Sequence, residues 1–358
     1  MTLLSPLALG AITLPNRLVM APMTRTRSGD DGVPGPMVAE YYAQRASSGL
    51  IITEGVYPSR ESRAYAGQPG IVTDEQQAGW AAVAEAVHEA GGRVFMQVMN
   101  GGRVSHTSIT GTERIVAPSA IAIEGEVRLG DGSKAPYPVP EALTIEGLAQ
   151  VRDEFVAASR RAIDAGIDGV ELHAANGYLL HEFLSPASNV RDDAYGGSPE
   201  ARARFVIGVA EAVVAEVGAD RVGIRISPSH NIQDVLETDA DDVRQTYTAL
   251  VRGLAPLGLA YLSVLHAEPA GELVQSLRAE FGGVLIANSG FGVVTTHDEA
   301  TALVTDEVAD AVAVGRHYIA NPDLLERWER GAEENEVVAA TIYGGGASGY
   351  TDYPRLSA

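Results

Sequence analysis

No cysteine occurs in this chain of 358 residues. Disulfides, thiolate nucleophiles and cysteine-bound metals or clusters are thereby excluded. Lysine is almost absent too, with Lys134 the single example. A Schiff-base mechanism needs a lysine facing the site. Lys134 stands in a Gly-, Pro- and Ser-rich loop stretch, so that chemistry is set aside. Positive charge is scarce as a whole: 26 Lys and Arg oppose 47 Asp and Glu, for a formal net charge of −21. A surface this acidic repels phosphate backbones and anionic lipid, which argues against nucleic acid and membrane partners. No apolar run approaches the roughly 18 residues of a membrane span. The opening MTLLSPLALGAITLPNRLVM lacks a basic n-region and a small-residue cleavage site. No signal peptide is read, and the expected compartment is the cytoplasm.

What the chain does have is alternation. Nearly continuous apolar runs of strand length cover 17–23, 50–57, 93–100, 169–175, 222–228, 259–266, 284–290 and 310–316. Continuous apolarity, as opposed to every second residue, suits parallel strands covered on both faces. Amphipathic segments separate them at 73–92, 144–166, 198–218 and 239–258, with shorter ones at 271–282, 296–304 and 322–330. Ser198 with Pro199, and Thr144, are helix starts; Gly91-Gly92 is a stop. Eight strand–helix units predict a (β/α)8 TIM barrel, with residues 1–358 as a single domain. A doubly wound sheet would open with a Gly-rich turn after its first strand; here that position reads APMTRTRS. Residues 101–143, after the third strand, read as a loop-rich excursion capping the barrel mouth.

In such barrels the chemistry gathers at the C-terminal strand ends. The first strand delivers Pro22, Met23 and Thr24 there; the second, Glu54 and Gly55; the third, Gln97, Met99 and Asn100. The fourth delivers His173, Asn176 and Tyr178, the fifth Arg225 and the sixth His266. The last two contribute Asn288, Ser289 and Gly290, then Gly315 and Arg316. Arg225, inside an otherwise apolar strand, needs an anion or a carbonyl. An internal ion pair with Glu54 or Glu171 is one way to supply it. Small residues after the last two strands leave backbone N–H groups open, and Arg316 adds a fixed charge, as phosphate sites of these barrels require. No metal constellation is read: His173 and His181 lie near each other in sequence without a third ligand at zinc spacing. No GxSxG nucleophile elbow occurs.

These segments resemble the old yellow enzyme family of FMN-dependent ene-reductases, in its Thr-type, N-ethylmaleimide reductase-like branch. The likeness runs through LxSPLxLGxxTLPNRxVMAPMTRxRS, LIITEG, HAANGYLLHEFLSP, DDAYGGSPEARARF, GIRISP, VGRHYIANPDL and YGGGASGYTDYP, in order along the whole chain. The resemblance implies that Pro22, Met23, Thr24, Gly55, Gln97 and Arg225 surround the flavin ring. Ser289, Gly290, Gly315 and Arg316 would hold its phosphate. His173 and Asn176 would bind the carbonyl oxygen of an α,β-unsaturated substrate, with Tyr178 as proton donor; Met99 and Tyr343 would line the substrate side. NADPH or NADH would be the hydride donor, small enones the substrates, and the protein a monomer or homodimer.

Physical chemistry gives these roles a reason. Hydride reaching the β-carbon of an enone drives negative charge onto the carbonyl oxygen. Two neutral donors stabilise it as an oxyanion hole does, and a phenol can protonate the α-carbon. A fixed cation at Arg225 favours the reduced, anionic flavin. The structural alternative is that His173 and Asn176 cap the next helix while Tyr178 fills core. Two departures matter: RDDAYGGS replaces the commoner RTDEYGGS, which affects loop packing, and the third strand reads Gln97-Val98-Met99, where the branch usually has Gln-Leu-Trp. Methionine in place of an indole widens the pocket and leaves it adaptable. A non-redox phosphosugar lyase or isomerase would share the phosphate cradle but would leave the His173, Asn176 and Tyr178 set unexplained.

Overall fold

The computed structural model describes residues 1–357. Eight parallel strands close into a barrel: β1 (Leu18–Met20), β2 (Leu50–Ile52), β3 (Val94–Val98), β4 (Gly169–Ala174), β5 (Val222–Ile226), β6 (Tyr261–Leu265), β7 (Leu285–Asn288) and β8 (Ala311–Val314). β8 pairs with β1 and completes the ring. The outer helices are α1 (Pro36–Ala43), α2 (Asp74–Glu89), α3 (Ile145–Asp164), α4 (Pro199–Val217), α5 (Ala240–Leu254), α6 (Glu272–Phe281), α7 (His297–Thr305) and α8 (Leu324–Arg330). No helix among the described residues is long and apolar enough to cross a membrane.

Each strand is shorter than the apolar run that predicts it. The residues that follow leave the hydrogen-bonded ladder and become the walls of the mouth. Thr73, Thr144, Ser198 and Asp239 accept first-turn backbone N–H groups at the starts of α2 to α5, contacts worth about 1 kcal/mol each. Some elements were not apparent from the sequence, and two of them shape the barrel. One is α1, which starts with Pro36 and buries Val38, Tyr41 and Tyr42. The other is a hairpin pairing Leu7–Leu9 with Ile12–Leu14. Its Leu9 and Leu14 pack with Val19, Leu50, Phe95, Tyr261 and Ile286 as a floor. The hairpin turns at Gly10, where φ is +52° and a Cβ would stand 1.9 Å from the Asp220 carbonyl oxygen.

Strand parity explains the continuous apolarity. Val94, Met96, Val98, Leu172, Ala174, Ile224 and Val264 join the large cluster shared with the helices. Their neighbours point the other way, into the barrel. Phe95, Tyr261 and Ile286 fill its lower layer. Above them come Gln97, Glu171, His173, Arg225, Ser263 and Asn288, all buried. The barrel is therefore apolar below and polar above.

Residues 101–143 carry a helical turn (Thr107–Thr110), a two-strand parallel pairing of Val116–Ala117 with Glu141–Ala142, and a hairpin of Glu126–Arg128 with Lys134–Pro136. Val104 and Ile123 from this stretch pack with Ala64, Met99 and Tyr178.

Candidate active site

The site starts where β4 ends. Register places His173 beside Arg225 and Glu171 beside Gln97. After Ala174 the chain makes a left-handed turn, with φ of +58° at Asn176 and +81° at Gly177. Asparagine is among the few side chains that accept this region. At Gly177 a Cβ would press on Gln233 Cβ and the Ile232 carbonyl oxygen, both at 2.9 Å. Asn176 is pinned on both sides: its N–H donates to Ser227 Oγ at 2.8 Å, and its carbonyl accepts from Gln233 Nε2 at 2.7 Å.

Neither His173 nor Asn176 caps a helix. The helix Leu179–Leu184 begins at Tyr178 with no side-chain capping bond. His173 Nδ1 and Asn176 Oδ1 are buried without a partner. Burial, then the nearby Arg225, holds the His173 imidazole well below its usual pKa, so it is neutral and offers one N–H. The Tyr178 ring lies 5.1 Å from the His173 ring, centre to centre. Its hydroxyl shares a 2.7 Å hydrogen bond with that of Tyr65. Burial pushes the Tyr178 phenol up to about 12.

Arg225 settles its own question by geometry. Nη2 donates to Asn288 Oδ1 at 3.1 Å, while Nε and Nη1 have no partner. The expected ion pairs do not take them up. Glu171 accepts from Gln97 Nε2 at 2.8 Å and the Tyr261 hydroxyl at 3.0 Å. Glu54 accepts the backbone N–H groups of Arg25 at 3.0 Å and Thr26 at 2.9 Å. A buried guanidinium with two open nitrogens calls for an anionic or carbonyl-bearing ligand. The N1–C2=O edge of a flavin is such a group, and the residues fit it.

The remaining candidates ring the same mouth. Pro22, Met23 and Thr24 follow β1 and are half-buried. Gly55 follows β2, where a Cβ would stand 2.6 Å from Met99 Sδ. Past β7 and β8 lie Ser289, Gly290, Gly315 and Arg316. Gly290 has φ +98°, and a Cβ at Gly315 would come no closer than 3.6 Å to any atom, Met23 Sδ being the nearest. That open backbone is what a phosphate needs. The Ser289 hydroxyl turns away to Glu299, so only its main chain is left open to an anion. Arg316 Nη2 donates to the Phe291 carbonyl at 2.6 Å. Tyr343, read as lining the substrate side, is 69% exposed and sits at the rim. Its segment is strapped down by Arg25 and Arg27, which donate to the carbonyls of Thr341, Ile342, Gly346 and Gly349.

Sequence reasoning missed Tyr65, Gln233 and this arginine strap. Tyr65 reaches Tyr178 across 113 residues, and no spacing rule reports such a contact. For Gln233 a faint sign existed: SHNIQD is a polar loop directly after a barrel strand, where functional residues concentrate.

Comparison with known proteins identifies the family. The model of the NADH:flavin oxidoreductase / NADH oxidase family matches residues 2–335. A probable flavin mononucleotide-dependent alkene reductase of Leishmania infantum is 41% identical, with 99% of this chain and 97% of the relative covered. The 12-oxophytodienoate reductase 1 of Oryza sativa subsp. japonica is 38% identical over 99% of this chain and 93% of its own. Among solved structures, morphinone reductase superposes with a TM-score of 0.92 at 42% identity, covering 99% of this chain and 96% of that one. The old yellow enzyme homologue from Zymomonas mobilis superposes with a TM-score of 0.94 at 37% identity, covering 99% of this chain and all of the other. The chain belongs to the NADH:flavin oxidoreductase / NADH oxidase family, within the old yellow enzyme group.

Proposed function

We propose that this protein is an FMN-dependent, NAD(P)H-driven reductase of the activated C=C bond in α,β-unsaturated carbonyl compounds. The observation that carries the reading is the pairing of unpartnered buried nitrogens at one end of the barrel: Arg225 Nε and Nη1, and His173 Nδ1 beside them in register. Buried polar groups left open in one place mark a ligand position. FMN held there would supply two-electron hydride chemistry between a nicotinamide and the alkene.

The chain's own residues do the rest. Pro22, Met23, Thr24, Gly55 and Gln97 flank the flavin ring, and Arg225 sets a fixed positive charge against it. Ser289, Gly290, Gly315 and Arg316 receive the phosphate. His173 and Asn176 donate hydrogen bonds to the substrate carbonyl oxygen and strengthen their hold as charge builds there. Tyr178 carries the proton for the α-carbon. Met99 and Tyr343 border the substrate, with Met99 leaving more room than an indole would.

The test is a visible spectrum under anaerobic conditions: as purified, after NADPH, then after cyclohexenone. The protein is expected to be yellow, to bleach, and to recover its colour. A protein that cannot take up FMN would sink the reading.

The pH dependence of the alkene step follows from the two shifted groups. Tyr178, raised to about 12, keeps its proton through the physiological range and beyond. His173, lowered, stays neutral down through mildly acidic pH. Reoxidation by cyclohexenone in stopped flow is therefore expected to vary little between about pH 6 and 10, because neither group changes charge there. A tenfold limb inside that window would show that one of the two is not in the assigned state.

A further inference from the structure

His181 stands one helical turn after Gly177 and is fully buried. Its Nδ1 accepts the Gly177 N–H at 2.9 Å. A ring nitrogen that accepts is bare, so in the neutral imidazole the proton is on Nε2. That nitrogen lies 2.9 Å from the Tyr247 hydroxyl and 3.3 Å from Glu237 Oε1. The Tyr247 hydroxyl donates onward to Glu237 Oε1 at 3.0 Å. Glu237 Oε2 accepts the Ser229 N–H at 2.7 Å, and the Glu237 N–H donates to Asn231 Oδ1 at 2.6 Å. The bonds run in one direction: Gly177 N–H to His181, His181 N–H to Tyr247, Tyr247 O–H to the Glu237 carboxylate. Each donor polarises the next acceptor, and the buried carboxylate anchors the far end.

The near end of this relay is the left-handed turn that aims Asn176. We infer that His181, oriented by Tyr247 and Glu237, is a positioning residue for the carbonyl-binding pair. It acts through the Gly177 N–H and touches neither substrate nor cofactor. Without an acceptor there, a buried N–H is left unsatisfied, and the turn is free to rotate the Asn176 amide away from its aim. The same relay ties the turn to the loop after β5, whose Ser227 and Gln233 hold Asn176 from the other side. Three separate elements thus over-determine a backbone conformation that favours few residues.

The inference rests on His173 and Asn176 being the oxygen donors, and its test separates the two ideas. The FMN-loaded protein is titrated with a simple phenol, read by the flavin spectrum, in wild type, His181→Leu and His181→Asn. Leucine fills the volume and offers no acceptor. Asparagine places Oδ1 close to where Nδ1 lies and restores it. His181→Leu is expected to weaken phenol binding about tenfold, with FMN content unchanged and faster amide exchange over 174–180. His181→Asn is expected to stay within about threefold of wild type. Equal affinity in His181→Leu and wild type, or recovery by leucine and not by asparagine, overturns the inference in favour of mere packing. Failure of the wild type to bind phenol overturns the functional reading instead. If His181→Leu does not fold, Tyr247→Phe decides: an approximately threefold loss supports the relay, and an unchanged affinity overturns it.

Discussion

A protein carrying alanine at both His173 and Asn176 is expected to lose phenol binding to its oxidised flavin by at least about a hundredfold, the lower end of what one oxyanion-type donor contributes. A phenolate resembles the substrate oxygen at the moment it carries charge. Its affinity therefore reports donor strength directly, without any chemical step. His173 is held neutral by burial and by the charge of Arg225, so it competes for the anion as a hydrogen-bond donor and not as a cation. Asn176 offers an amide whose orientation the turn has fixed. Register sets His173 beside Arg225, and the turn after β4 brings Asn176 in three residues later.

Two controls keep that experiment readable. Asn176 has φ +58°, where alanine costs about 1 kcal/mol or more, so part of the damage could come from the backbone. His173→Ala with Asn176→Asp retains a residue that tolerates the turn, while replacing the amide donor by a carboxylate that repels the oxyanion. FMN content should hold in both variants, because the flavin-side residues, Arg225 included, are unchanged. Retained tight phenol binding in either double variant would remove the oxygen-binding role from this pair.

How legible all this was depends on the kind of pattern involved. Barrel strands announce themselves because both faces are covered, and a polar residue inside such a run, like Arg225, stands out at once. Strand parity then predicts that Gln97, Glu171, His173 and Arg225 share the interior, and register assembles them. Elements with little pattern of their own were invisible. The eight residues of α1 hold a Pro and two buried tyrosines and have only a weak amphipathic stripe. Loop residues fared worst. Tyr65 and Gln233 reach the site along paths set by turns and not by periodicity. His181 illustrates a subtler limit. From sequence it was only a histidine near His173 with no third metal ligand; its partners Glu237 and Tyr247 come from distant positions and reach it only when β5 and α5 are laid beside β4. Ser289 was read as a phosphate residue, and nothing in NSGFG hints that its hydroxyl engages Glu299.

Tyr178→Phe is expected to slow the alkene-reducing half-reaction by about 10² to 10⁴, the range for a positioned general acid, while flavin reduction by NAD(P)H changes far less. The asymmetry follows from chemistry: the α-carbon of the alkene must receive a proton, and flavin reduction places no such demand on the phenol. Environment makes Tyr178 suitable in a particular way. Its pKa of about 12 makes it a weak acid toward water but a capable donor toward a carbanion-like carbon, which is far more basic. The 2.7 Å bond to Tyr65 holds its hydroxyl in the apolar wall formed with Ala64, Met99, Val104 and Ile123, where few waters can substitute for it. The phenylalanine variant keeps that wall and removes one oxygen. Stopped-flow traces of each half-reaction measure the two rates separately. Equal slowing of both would mean that the hydroxyl shapes the site and does not donate. No slowing of alkene reduction would mean that the proton arrives from another source.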